Sequence, residues 1–242
     1  MTPDGALLLR LLIAHVVGDF FLQPKSWILD RREKKARSAK LYIHGFVHLA
    51  LIALAVGDFR WGSVALMLVV ASTHMAIDLL KSYGDPSGRS TGWFILDQAL
   101  HVLVLLLAWY LITGRSALVD LRWLWSDQTR LAHVLAVLIL TRPTGFLINM
   151  FTEGWRREVR HRDRSLSDAG MWIGLIERPL VLLFVLQGVY EAVGFLLAAK
   201  SVFRFGELKD GTDRKRTEYV LIGTLLSFGI AIFVGILARM VT

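Results

Sequence analysis

The stretch L-L-I-A-H-V-V-G-D-F-F-L-Q, residues 11–23, sets a histidine, an aspartate and a glutamine four residues apart inside an apolar run. Four residues is about one helical turn, so the spacing predicts that His15, Asp19 and Gln23 stack on one helix face. In water such a face is ordinary. In a bilayer each polar group on it is costly, and its presence points to function. The solvent around this helix therefore decides both the fold and the meaning of the three residues.

Composition identifies that solvent. Of 242 residues, 55% are hydrophobic, and the mean hydropathy is +0.52. Apolar runs at 6–22, 41–56, 61–80, 93–113, 131–151, 172–198 and 219–237 approach the roughly 20 residues that carry a helix across a membrane. The expectation is an all-α, polytopic membrane protein of about seven transmembrane helices. Asp4 stands where a signal peptide would carry basic residues, and no small-residue cleavage site follows, so the first run reads as a retained helix. With no cysteine, disulfides and thiolate metal sites are excluded. The net charge is +8. Cytoplasmic loops rich in Lys and Arg explain it better than a nucleic-acid partner, and none is expected.

Charge also orients the chain. Residues 25–40 carry seven Lys or Arg against Asp30 and Glu33. This puts the first loop in the cytoplasm and the N-terminus outside. Residues 57–60 then turn outside, and 81–92 turn in the cytoplasm. The reading gives a four-helix bundle over 1–113 and an interfacial linker over 114–130 with its tryptophans. C-terminal membrane helices follow over 131–242, with a break expected at Arg142-Pro143. The basic loop at 156–164 is cytoplasmic. The loop at 204–216 is basic too, yet one crossing over 172–198 would put it outside. Either the charge rule fails there or one segment is re-entrant or interfacial.

Each of the first four helices carries a pair of metal-ligand side chains four residues apart: His15 and Asp19, His44 and His48, His74 and Asp78, Asp97 and His101. With alternating helix direction all four pairs fall at one depth, near the cytoplasmic side. Imidazoles and carboxylates clustered in low dielectric are unstable without compensation. A divalent cation compensates them, since neutral imidazole and ionised carboxylate are its ligands. Facing helices of a bundle are where such sites are built. Eight candidates exceed one tetrahedral ion, so either two ions share them or some residues orient the imidazoles. Zinc leads, with iron or manganese as alternatives. Asp19 or Asp78 is the candidate general base.

The plainer readings are these. Lys81 binds a substrate anion or snorkels to the interface. Gln23 orients a ligand or ends its helix before Pro24, and Asp97 partly caps a helix. His133 and His161 are interface and loop residues. Glu177, Arg178, Glu191, Lys200, Arg204 and Glu218 pair with one another and fix helix packing. Small residues over 223–227 suit a close helix contact.

H-V-V-G-D-F-F-L-Q, H-M-A-I-D-L-L-K and D-Q-A-L-H resemble the bacterial membrane family known as domain of unknown function 3307. The likeness spans the first four helices. I-G-L-I-E-R-P-L and E-Y-V-L-I-G-T-L-L-S resemble its longer members. The resemblance implies a bacterial inner membrane and names no activity. More loosely, the His/Asp pattern is similar to membrane-bound metal-dependent hydrolases and to seven-helix zinc amidohydrolases such as the ceramidases, whose ligand order differs.

The expected function is a metal-dependent hydrolase acting on a lipid or lipid-linked substrate near the cytoplasmic interface, with Asp19, Asp78 and Lys81 as catalytic candidates. Membrane lipids, and a second copy of the chain, are the candidate partners. A divalent-metal or proton transporter is the alternative, and it would want a polar track to the outside. A di-iron membrane oxidoreductase and a scaffold with a structural ion are further alternatives.

Overall fold

The first apolar run forms α1 (Pro3–Phe20). It stops short of Gln23, because Pro24 has no N–H to continue the ladder. The N–H groups of Phe21 and Leu22 both close onto the Val17 carbonyl. His15 and Asp19 therefore share a helical face, and Gln23, beyond the helix end, does not continue it. The computed structural model describes residues 3–113, 127–159, 169–205 and 213–241. Most of the expected linker, the loop segment 160–168 with His161, and 206–212 of the last basic loop lie outside the described residues.

The basic segment expected as a loop is mostly helical. It forms α2 (Lys25–Lys34) and a single 3₁₀ turn at Lys35–Arg37. The axis of this arm is bent 80° from α1. Ser38 then caps α3 (Ala39–Val56), accepting from the Leu41 N–H and donating its own hydroxyl to Asp30. The remaining helices are α4 (Trp61–Gly84), α5 (Thr91–Thr113), α6 (Gln128–Leu140), α7 (Arg142–Phe151), α8 (Glu153–Val159), α9 (Ala169–Gln187), α10 (Tyr190–Phe205) and α11 (Asp213–Val241). Among the described residues six stretches are long and apolar enough to cross a membrane: α3, α4, α5, the α6–α7 pair, α9 and α11. The bent α1–α2 pair makes a seventh if it counts as one span. The chain is thus an all-α, multi-pass membrane protein by the length and composition of its helices.

The chain divides into two compact units, Met1–Leu135 and Ala136–Thr242. In the first, α1 packs on α3 and α5, and α4 packs on both α3 and α5, which closes a four-helix ring. One end of the ring is filled by an apolar core of Leu7, Leu11, Ile52, Met67, Val70 and Leu105. The arm formed by α2 lies at the opposite end, with Lys35 donating to the Ser82 carbonyl at the close of α4. There the α4–α5 turn is built on Asp85, which accepts from Ser87 and from the backbone of Gly88 and Ser90. Burial opposes ionisation of Asp85, but these hydrogen bonds hold its carboxyl below the ordinary range.

In the second unit α9 packs along α11 through Val181, Leu182, Val185, Phe228 and Ala231. The segment 172–198 is not one crossing. Gly188, at φ 74°, ends α9 in the left-handed region that glycine enters without strain, and the chain restarts as α10. Lys200 Nζ reaches Glu177 Oε2 at 2.5 Å, so α10 folds back along α9 as a hairpin. Lys215 near the start of α11 pairs with Glu158 of α8 at 2.8 Å. Arg239 near its end donates to Tyr190 Oη at 3.1 Å. The C-terminal end of α10 is thereby returned toward the end of this unit that holds α8. A sixteen-residue return helix, rather than the remainder of a single crossing, therefore follows α9.

Candidate metal centre

The side chains of the first unit meet because the ring alternates direction. His15 and Asp19 lie in the last turns of α1, His44 and His48 near the start of α3, His74 and Asp78 toward the end of α4, and Asp97 and His101 near the start of α5. All five histidines and the carboxylates of Asp78 and Asp97 are buried, and the Asp19 side chain is 9% exposed. The rings touch one another: His48 stacks on His74 at 3.6 Å between centroids, and His15 stacks on His101 at 5.0 Å. The structure brings all eight predicted ligands into one cluster.

Within it, three imidazole nitrogens converge on one carboxylate oxygen. Asp19 Oδ1 lies 3.3 Å from His44 Nε2, 3.0 Å from His48 Nε2 and 3.4 Å from His74 Nε2. His44 Nε2 and His74 Nε2 are 3.2 Å apart. A tetrahedral zinc with ligands at 2.0–2.1 Å has edges of about 3.3–3.4 Å, so these four spacings suit such an ion. The orphaned atoms agree. Asp19 Oδ1 and His48 Nε2 are buried and make no hydrogen bond although they face each other. Of the six buried side-chain atoms without a hydrogen-bond partner among the described residues, five are in or beside this cluster: these two, His44 Nδ1, Asp97 Oδ1 and Arg31 Nε. Buried polar atoms are nearly always satisfied, so such a concentration marks a place built for something else.

His15 and the Asp97–His101 pair stand beside the tetrahedral set. His15 Nε2 is 3.3 Å from Gln98 Oε1, and Gln98 Nε2 donates to Asp97 at 3.1 Å. His101 Nδ1 is 2.8 Å from the Asp97 carbonyl of its own helix. A small space of about 10 Å³ opens among His15, His48, His74 and His101, closed beyond by Ile52 and Leu105. That is about the volume one water occupies.

Two cations complete the cluster. Lys81 does not snorkel: its Nζ turns inward to Asp97 Oδ2 at 2.7 Å and lies over the Phe94 ring. Arg31, on the α2 arm, is buried and donates to Asp78 Oδ2. Sequence reasoning missed Arg31, because nothing in the charge run 25–40 sets it apart from its six basic neighbours. It missed Gly18 as well. A Cβ at Gly18 would lie 2.4 Å from His48 Nε2, so α1 can approach α3 there only as glycine.

In the second unit Arg178 is buried and donates to the carbonyls of Leu140 and Thr141, at the break that Pro143 imposes between α6 and α7. Glu177 and Lys200 pair, as expected of this set.

No curated protein and no solved structure matches the chain at a significant level. The looser likeness to membrane metal-dependent hydrolases and ceramidases gains no support from these comparisons. Residues 7–126, which contain all eight clustered side chains, match the model of the family described as "Protein of unknown function (DUF3307)".

Proposed function

We propose that the first unit holds one divalent ion, zinc by preference, on His44, His48, His74 and Asp19, and that the protein is a membrane-embedded metal-dependent hydrolase. The carrying observation is the convergence of three imidazole nitrogens on Asp19 Oδ1 at 3.0–3.4 Å, with two of the four atoms orphaned. Charge supports it. Asp78 and Asp97 are each matched by a cation, Arg31 and Lys81. Asp19 has histidines and the neutral Gln98 amide beside it and no ion-pairing Lys or Arg, so this set carries one uncompensated negative charge when its imidazoles are neutral.

The ion would supply Lewis acidity and lower the pKa of an adjoining water. The chain's own residues supply the rest. His15 borders the water-sized space, and its Nε2 lies 3.8 Å from Asp19 Oδ2. This pair is placed to take the proton released when a water attacks. Asp78, the other candidate base, is held by Arg31, and its Oδ2 lies 3.5 Å from His44 Nε2, the atom that would bind the ion. Lys81 is committed to Asp97, so its role is to keep that carboxylate neutralised rather than to grip a substrate.

The chemistry favours an enzyme over a carrier. A carrier needs a polar route beyond the cluster, and among the described residues the ring is filled there by Leu7, Leu11, Ile52, Met67, Val70 and Leu105. The polar end adjoins the basic α2 arm, which on charge grounds faces the cytoplasm of a bacterial inner membrane and leaves the N-terminus outside. A site at that level suits a lipid or lipid-linked substrate whose scissile group sits among the headgroups.

Elemental analysis of the purified protein tests the reading. One zinc per chain is expected, and none in a His44→Ala, His74→Ala variant. A wild type without stoichiometric metal overturns it. Hydrolysis of a panel of fluorescent lipid esters, amides and phosphodiesters, abolished by chelator and restored by zinc, then tests the activity.

A further inference from the structure

Seven of the eight side chains fall into two adjoining sets, linked by the close approach of His44, His74 and Asp78, and His15 stands beside the first. Asp19, His44, His48 and His74 form the first. One donor atom from each of Asp78, Asp97 and His101 forms the second, all within 4.8 Å of one another. The second set has the composition of a metal site in its own right. Asp97 Oδ1 is buried in it with no hydrogen-bond partner, in a residue only 3% exposed. It adjoins the first set, since Asp78 Oδ2 is 3.5 Å from His44 Nε2.

The two sets differ in charge. The first is left at −1 with neutral imidazoles. The second carries −2 from its carboxylates, and Arg31 and Lys81 bring it to zero. Both cations come from outside the ligand pairs. Arg31 is delivered by the bent α2 arm. Lys81 reaches Asp97 across the α4–α5 turn, its side chain 20% exposed. A buried carboxylate pair must be compensated by some cation, and two side-chain cations have the charge of one divalent ion.

We propose that Asp78, Asp97 and His101 form a latent second metal site, in which Arg31 and Lys81 take the place of the ion and keep the centre mononuclear. The inference rests on the metal reading of the Asp19 set and adds to it the number of ions and the device that fixes that number. It assigns Arg31 and Lys81 as positioning residues that act through the carboxylates they hold.

The test counts ions in full-length protein with zinc as the probe, by elemental analysis after equilibration and removal of free metal. Wild type takes one. Arg31→Met with Lys81→Met takes two, because the exposed −2 charge recruits a second divalent ion. Adding Asp78→Asn and Asp97→Asn to those changes removes the charge and returns the count to one. With manganese as the probe, the double variant shows an exchange-coupled pair by electron paramagnetic resonance, and wild type shows an isolated ion. Two ions in wild type overturn this inference and the count of one zinc per chain, and leave the Asp19 set standing as a metal site. One ion in the double variant overturns this inference and leaves the metal reading standing. No ion in wild type overturns both. If the double variant does not accumulate, Lys81→Met alone carries the test: a second equivalent at raised zinc supports the proposal, and a count fixed at one ends it.

Discussion

The two units solve the same problem in opposite ways. Each buries charged or polar side chains inside helices that are otherwise apolar. In the second unit they are matched where they stand. Arg178 meets the Leu140 and Thr141 carbonyls at the α6–α7 break, the latter shared with the Gly145 N–H, and Glu177 meets Lys200. Only Ser227 Oγ is left without a partner among the described residues there. In the first unit most of the orphaned atoms are ones a metal can bind, Asp19 Oδ1, His44 Nδ1, His48 Nε2 and Asp97 Oδ1, and one is the donor Arg31 Nε. Five imidazoles and three carboxylates meet two cations, and five buried atoms are orphaned. A polar group in a membrane helix is therefore not in itself a sign of chemistry. The sign is a surplus of converging lone pairs that the protein does not satisfy.

The strongest way to break this contrast is to remove a converging ligand. His74 Nε2 is 3.2 Å from His44 and 3.4 Å from Asp19. His74→Ala is expected to lower metal affinity by more than the roughly 10–100-fold typical of groups that only orient a ligand. Zinc should then fall from one per chain to a trace after dialysis. Full retention of zinc would make the first unit a satisfied polar core like the second.

Gly18→Ala is expected to come next. It inserts a methyl 2.4 Å from His48 Nε2 and so displaces a ligand without changing one. Metal affinity should drop about 10–100-fold. Gly194→Ala in α10 is the matched control, since nothing lies within 4 Å of a Cβ there. It should leave zinc content and thermal stability unchanged. Equal effects from the two would show that the loss of zinc does not come from displacing His48.

How much of this could be read from the residues follows from range. The four i, i+4 pairs and their common depth are legible, because helical spacing and alternating direction are both local properties. The ligand cluster was therefore visible before any coordinate. Three features were not. Gln23 was expected on the His15 face, but that needs a helix surviving to Pro24, and α1 closes at Phe20. Arg31 is one of seven basic residues in a run, and only the 80° bend of the arm selects it for burial. Lys81 faces inward because Asp97 is folded back beside it, and spacing along one helix does not reveal a partner on the next. The break at Gly188 was foreshadowed as a broken helix, but its hairpin geometry depends on Glu177 finding Lys200.

Arg178→Leu sharpens the contrast from the other side. It leaves the Leu140 and Thr141 carbonyls without that donor in a low-dielectric surrounding. The cost should be about 1–3 kcal/mol, read as a lower thermal midpoint in detergent. Zinc content should not change. A loss of metal in this variant would mean that the second unit's polar contacts serve the centre as well as the fold.

The smallest effect comes from an ordinary pair inside the first unit. Asp58, in the turn before α4, accepts from the Arg60 guanidinium at 3.0 Å and from the Ser63 hydroxyl at 2.7 Å. The Arg60 hydrogen bonds hold its carboxyl below the ordinary 3.8, at about 2. A carboxyl whose pKa is depressed on folding stabilises the native state above its unfolded value, and that stability is lost as pH falls through the folded one. The contribution should be full above about pH 4 and gone near pH 2, within the window from 3.8 to about 2. Solvent screening keeps it below about 1 kcal/mol. Asp58→Asn should flatten this acid limb in thermal unfolding scans and leave zinc binding at neutral pH untouched. An unaltered acid limb would show that the Asp58–Arg60 pair contributes nothing. A shifted metal affinity would show that a matched pair at the far end of the ring is coupled to the unmatched cluster, and the distinction between satisfied and surplus polar groups would then fail within a single unit.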